Sequence, residues 1–167
     1  NETQLTRKAM ESNAQDAGRF SSESQQAMSG MQRLLALSGN MERAIDASST
    51  LSTIELANLQ EIALKLEVYK VFMGVSQAAG DVIISYTECL LGQWYYEGEG
   101  REHFSTYPEF REIEKPHQNV HDYAREAVNL YHGGHYTEAL EALRQMEEAN
   151  LFVMHGLNNI LRKAKLY

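Results

Sequence analysis

Apolar residues along the chain recur at three- and four-residue steps, and the alternation that marks a strand is missing throughout. Met31, Leu34, Met41 and Ile45, then Leu59, Ile62, Leu66, Tyr69 and Met73, trace a seam of the kind that coiled coils and bundles bury. Between the two parts of that seam, "DASSTLST" is a patch of small residues where the seam loosens. The opening stretch to Met31 is polar, with apolar positions only at wide intervals: Leu5, Met10, Phe20 and Met28. The pattern predicts one or two very long helices over residues 1–77.

Gly80 precedes a second predicted helix, 81–95, and "EGEGREHFSTYPEF" reads as a glycine-bearing loop with a short helical turn near Phe110. Pro116 suits the first turn of a third helix, where its missing N–H is not needed. That helix runs to His132, where "HGGH" breaks it. A fourth is predicted from Tyr136 to Leu166, with Leu140, Leu143, Met146, Leu151, Met154, Leu157 and Leu161 as its inner stripe. Alanine, leucine, glutamine, glutamate and methionine, all good helix formers, dominate. The fold class is all-α: an antiparallel four-helix bundle (55–167) approached by a long, coiled-coil-like N-terminal helical stem (1–54).

Composition narrows the partners. The chain of 167 residues has a net charge of −8, with both signs mixed along it, which argues against nucleic acid or an anionic membrane surface. A single cysteine allows no internal disulfide and points to a reducing cytoplasm. No apolar run approaches the length of a bilayer span. The chain begins at Asn1 rather than a methionine and reads as a piece of a longer protein.

Two short segments carry candidate chemistry. "ECLLGQWYYEGEG", residues 88–100, holds the only cysteine, Cys89, and the only tryptophan, Trp94. "PHQNVH" places His117 and His121 four residues apart, one turn above the other on one helix face. Two imidazoles at that spacing reach a single metal ion, or are polar surface. An antiparallel neighbour brings Cys89 beside them, and a thiolate with two imidazoles suits Zn²⁺. The plainer reading of Cys89 is a small buried hydrophobe. The "GEG" glycines lack the preceding strand of a phosphate-binding loop. No serine or aspartate is spaced to form a triad with a histidine, and the chain is not expected to be an enzyme.

"CLLGQWYYEGEG" followed by "IEKPHQNVH" resembles the chemoreceptor zinc-binding domain of bacterial signalling proteins, over residues 55–165. The resemblance implies a four-helix bundle, a homodimer, and zinc held by three histidines and a cysteine. Cys89, His117 and His121 match three of those ligands. In "LQEIALKLEVYK" Leu64, Lys65 and Tyr69 fit the family pattern, and the register then puts Glu61 where the fourth ligand, a histidine, belongs. Either Glu61 ligates through oxygen or it pairs with Lys65, four residues on. His135 is the reserve ligand. His103 and His132 read as surface residues, and His155 falls on an undetermined side of the last helix.

"SSESQQAMSG", residues 21–30, resembles the methylation segment of methyl-accepting chemotaxis proteins, with Gln25 and Gln26 as the modified pair. The resemblances together imply a cytoplasmic zinc-binding sensory domain at the end of a chemoreceptor's signalling bundle, responding to zinc or to thiol oxidants through its first helix. The alternatives are a structural, metal-stapled dimerisation module and a regulator of an attached cyclic-dinucleotide synthase.

Overall fold

A computed structural model describes residues 2–164. The chain is all-α, with no strand among the described residues. In order along it are α1 (Glu2–Phe72), a 3-10 turn (Gly80–Val82), α2 (Leu90–Tyr96), α3 (Glu99–Phe104), α4 (Pro108–Glu112), α5 (Glu114–His132) and α6 (Tyr136–Lys163). The predicted end of the last helix, at Leu166, lies outside the described residues. Two compact units divide the chain, one up to Asp46 and one from Ala47 on, and α1 contributes residues to both.

The first unit is helical throughout. Arg7–Glu11 and Arg19–Glu23 pair at i, i+4 on its surface. Its seam residues, Met31, Leu34, Met41 and Ile45, are all exposed, as is Phe20 before them.

In the second unit α1 turns Ile54, Ala57, Glu61, Val68 and Val71 into the core. Their spacing of three, four and seven puts them on one helix face. The seam predicted from the larger residues lies on another face: Leu59, Ile62, Leu66 and Met73 are between 51% and 65% exposed. The helix is apolar on two sides, and periodicity alone does not say which one a bundle buries. α6 repeats this. Ala139, Ala142, Ala149 and Val153 face inward beside the predicted Met146, Leu157 and Leu161, while the predicted Leu140 and Leu151 are exposed. Small inward residues let α6 approach its neighbours closely, which is what close packing rewards.

α5 begins two residues before Pro116, which sits in its first turn, and the turn at 133–135 reverses the chain into α6. Gly134 there has φ +78°, the left-handed region that glycine tolerates. α1 runs parallel to α5, since Glu61 lies at His117 and His121 while the Phe72 ring packs, tilted, against Tyr131. Lys65 bridges to Glu147 of α6 at 2.7 Å, and Tyr69 bonds the same carboxylate.

Parallel neighbours need a connection that travels back along the bundle, and residues 73–113 supply it. The predicted helix over 81–95 forms only at its end, as α2. Before it the chain is non-helical apart from the 3-10 turn, with Ala79 and Ile83 extended and a turn at 86–88, and it descends α5 step by step. Ala78 O accepts from His132, Ile83 O from Arg125 and Ile84 O from His121, and the Tyr86 ring meets His117. The run Val82, Ile83, Ile84, Tyr86, Thr87 explains the departure, because β-branched and aromatic side chains lose rotamer freedom in a helix. The fourth side of the bundle is thus an extended segment followed by the short helices α2, α3 and α4.

Candidate metal centre

Four side chains from three segments meet inside this bundle: Glu61 of α1, Cys89 at the end of the extended segment, and His117 and His121 of α5. All are between 1% and 4% exposed, and their ligand atoms lie within 4.8 Å of one another. Cys89 Sγ is 3.2 Å from His117 Nε2. Glu61 Oε1 is 3.4 Å from His117 Nε2 and 3.3 Å from His121 Nε2.

Local structure aims each group. The i, i+4 spacing brings the two imidazoles together edge to face, with ring centroids 5.0 Å apart. His121 Nδ1–H donates to Ile84 O at 3.0 Å, which leaves Nε2 turned toward Glu61. A carbonyl on the far nitrogen is the usual way a ligating histidine has its tautomer and ring angle fixed. Cys89 caps α2, with Gly92 N–H donating to Sγ at 3.3 Å. Gly92 cannot be replaced without a shift, because a Cβ there would meet Tyr86 O at 2.0 Å. Trp94 is buried against Phe104 and Phe110 and anchors the same short helix. The Gln60 side chain accepts from Leu90 N–H at 2.7 Å, tying α1 to the residue after Cys89.

Burial alone would raise the Glu61 carboxyl, but hydrogen bonds from His117 and His121 outweigh it and hold it at about 2. Burial would likewise lower His121, and its contacts with Cys89 and Glu61 instead raise it to about 10. His117 is raised for the same reasons. Cys89 is drawn down to about 7, its burial overcome by the two histidines and Gly92 N–H. The metal-free cluster therefore favours a carboxylate, and a thiol close to ionisation, facing two protonated imidazoles.

That donor set fits a metal ion. A tetrahedron with bonds of about 2.0–2.3 Å to N, O and S has edges of roughly 3.3–3.7 Å. Three of the separations, at 3.2–3.4 Å, approach that range, and all of them lie within 4.8 Å. Glu61 Oε1 meets the two histidines, and Oε2 is buried without a hydrogen-bond partner, which leaves it lone pairs to offer a cation. The alternative pairing of Glu61 with Lys65 does not form, since Lys65 reaches Glu147. The other histidines stay apart: His135 is exposed at the start of α6, His132 bonds Ala78 O, and His103 and His155 are exposed. Gln25 and Gln26 are exposed on α1.

Residues 61–128 match the chemoreceptor zinc-binding domain family. The match opens on Glu61 and closes on Val128, so all four cluster residues fall inside it. No curated protein and no solved structure matches the chain. That stretch thus resembles a chemoreceptor zinc-binding domain, and the buried cluster within it, which includes a glutamate, is compatible with zinc. The residues that sequence patterning missed act through their backbone: Ile84 O on His121 and Tyr86 O beneath Cys89 and Gly92. A carbonyl carries no side-chain signature, and the run of β-branched residues over 82–87 was the one available signal.

Proposed function

We propose that the chain is a cytoplasmic zinc-binding sensory domain, with Glu61, Cys89, His117 and His121 as the four ligands. The observation that carries this reading is the meeting of four buried donor groups from three segments at one point. Glu61 of α1, Cys89 and the two histidines of α5 would hold zinc at that point, which would tie the three segments together and favour the Cys89 thiolate. Four protein ligands close a tetrahedron and leave no position for a reactive water, so the site is regulatory and not enzymatic. Cys89 is the group an oxidant or a falling zinc supply would act on, since a thiolate both ligates and oxidises. Glu61 lies on α1, and α1 is the element through which a change at the site reaches a chemoreceptor's signalling bundle. Gln25 and Gln26 are the modification pair of that bundle.

The chain works as a homodimer. The exposed apolar line Leu59, Ile62, Leu66 and Met73 supports this, because contiguous apolar surface of that extent marks an interaction site. It favours as second reading a metal-stapled dimerisation module in which the site only holds α1 in place.

Metal analysis of the purified protein tests the first reading. Zinc is expected at one per chain, lost in Cys89→Ser and held more weakly in Glu61→Ala. Full retention in both variants would remove the assigned site. A Cys89 that stays inert to oxidants, with or without zinc, would leave the staple reading in place of the sensor.

A further inference from the structure

α1 turns the Glu61 carboxylate into the core, and Lys65 follows it by one helical turn. A glutamate four residues before a lysine is the favoured order for a helical ion pair. Glu61 Oε2 has no hydrogen-bond partner, yet Lys65 does not turn to it. Lys65 Nζ instead meets Glu147 Oε2 of α6 at 2.7 Å, and Tyr69 OH, one turn further along α1, donates to Glu147 Oε1. We propose that Glu147 is a positioning residue for the metal: by holding Lys65 on α6, it keeps the Glu61 carboxylate for a cation. The proposal rests on the reading of Glu61 as a ligand and names what protects that ligand.

Three observations make Glu147 the deciding residue. The other positions three and four residues from Lys65 are Ile62, Val68 and Tyr69, none of them acidic. Without Glu147, the acid one turn away on α1 is therefore Glu61. Glu147 is in turn reserved for α1: Arg144, three residues before it, pairs with Glu141 and Glu148, and Leu143, Asn150 and Leu151 are uncharged. Tyr69 keeps the carboxylate in place, and that bond pushes its phenol up to about 12, so it stays a donor. An ammonium on Glu61 would occupy its lone pairs and cancel its charge, and a metal ion would have to displace it.

Competition with a chromophoric chelator, run on the full chain and three variants, tests the assignment. Glu147→Gln keeps the shape and removes the charge, and zinc affinity is expected to fall about tenfold, the scale of losing a supporting partner. Lys65→Met keeps the aliphatic stem and is expected to bind zinc as the wild type does. The double variant Lys65→Met/Glu147→Gln is expected to regain the wild-type affinity. A Glu147 that acted only through packing would show its loss in the double variant too. That result, or no loss in Glu147→Gln, would overturn the proposal. Crystal structures of the metal-free wild type and Glu147→Gln give a readout without zinc. Lys65 Nζ is expected to move from Glu147 to within about 4 Å of a Glu61 oxygen, and a Lys65 left in solvent would also overturn the proposal. That movement in a protein that takes up no zinc would instead keep Glu147 as the residue that holds Lys65 off Glu61 and reject the metal reading.

Discussion

Between residues 54 and 73, α1 presents two apolar faces with opposite fates. One carries Ile54, Ala57, Val68 and Val71, with Glu61 among them, and is buried against α5 and the extended segment. The other carries the bulkier Leu59, Ile62, Leu66 and Met73 and is exposed. Size and hydrophobicity do not decide which side faces the core. The inward face is narrow because three segments must come close enough for four ligand atoms to sit within 4.8 Å. Its one charged residue is tolerated because it finds two histidines. The outward face is free to be large, and in the proposed dimer it meets a second chain.

The strongest way to test that division is at the cluster. Cys89→Ser is expected to lower zinc affinity by more than about a hundredfold, beyond the 10–100-fold typical of losing a supporting partner. Competition with a chromophoric chelator measures it. Glu61→Ala removes the inner face's ligand and is expected to cost about 10–100-fold in the same assay.

Proton competition comes next. His121 stands at about 10 in the metal-free cluster, above its ordinary 6.5. A raised histidine stabilises the metal-free fold fully below pH 6.5 and loses that contribution as pH climbs through 10. Zinc needs the unprotonated imidazole, so its binding displaces that proton. Affinity should therefore rise by up to about tenfold per pH unit for each proton released, over the range from pH 7 toward 10. Calorimetry in buffers of different ionisation enthalpy counts the protons.

Packing should separate the two faces directly. Val68→Ala, inward, is expected to destabilise the fold by roughly 1–2 kcal/mol, whereas Leu66→Ala, outward, should stay within about 0.5 kcal/mol for the monomer. Denaturant titration at low protein concentration reads both. Smallest of all is the expected effect of Ile62→Glu on the metal: zinc affinity unchanged, while sedimentation shows the dimer weakened. An inner-face phenotype from Ile62→Glu would break the comparison.

Much of this architecture was legible in the residues. Helix-forming composition and three–four spacing marked α1, α5 and α6, and "HGGH" marked the reversal between the last two. The His117–His121 spacing with a lone cysteine marked the cluster, and the resemblance to the family pattern at Leu64, Lys65 and Tyr69 located Glu61. Two things were hidden. The inner face of α1 is written in alanine and valine, which a pattern search ranks below the leucines outside. The extended segment was masked by its neighbours: helix formers flank Val82–Thr87, and the tertiary contacts that hold it extended, its carbonyls on His121, Arg125 and His132, belong to the backbone.

The central claim is that Glu61 completes a one-sulfur site with Cys89, His117 and His121. X-ray absorption at the zinc edge of the wild-type chain tests it most directly. The account predicts one sulfur at about 2.3 Å and three nitrogen or oxygen donors at about 2.0–2.1 Å, with one light donor altered in Glu61→Ala. A spectrum without sulfur, or one left unchanged by Glu61→Ala, would contradict it.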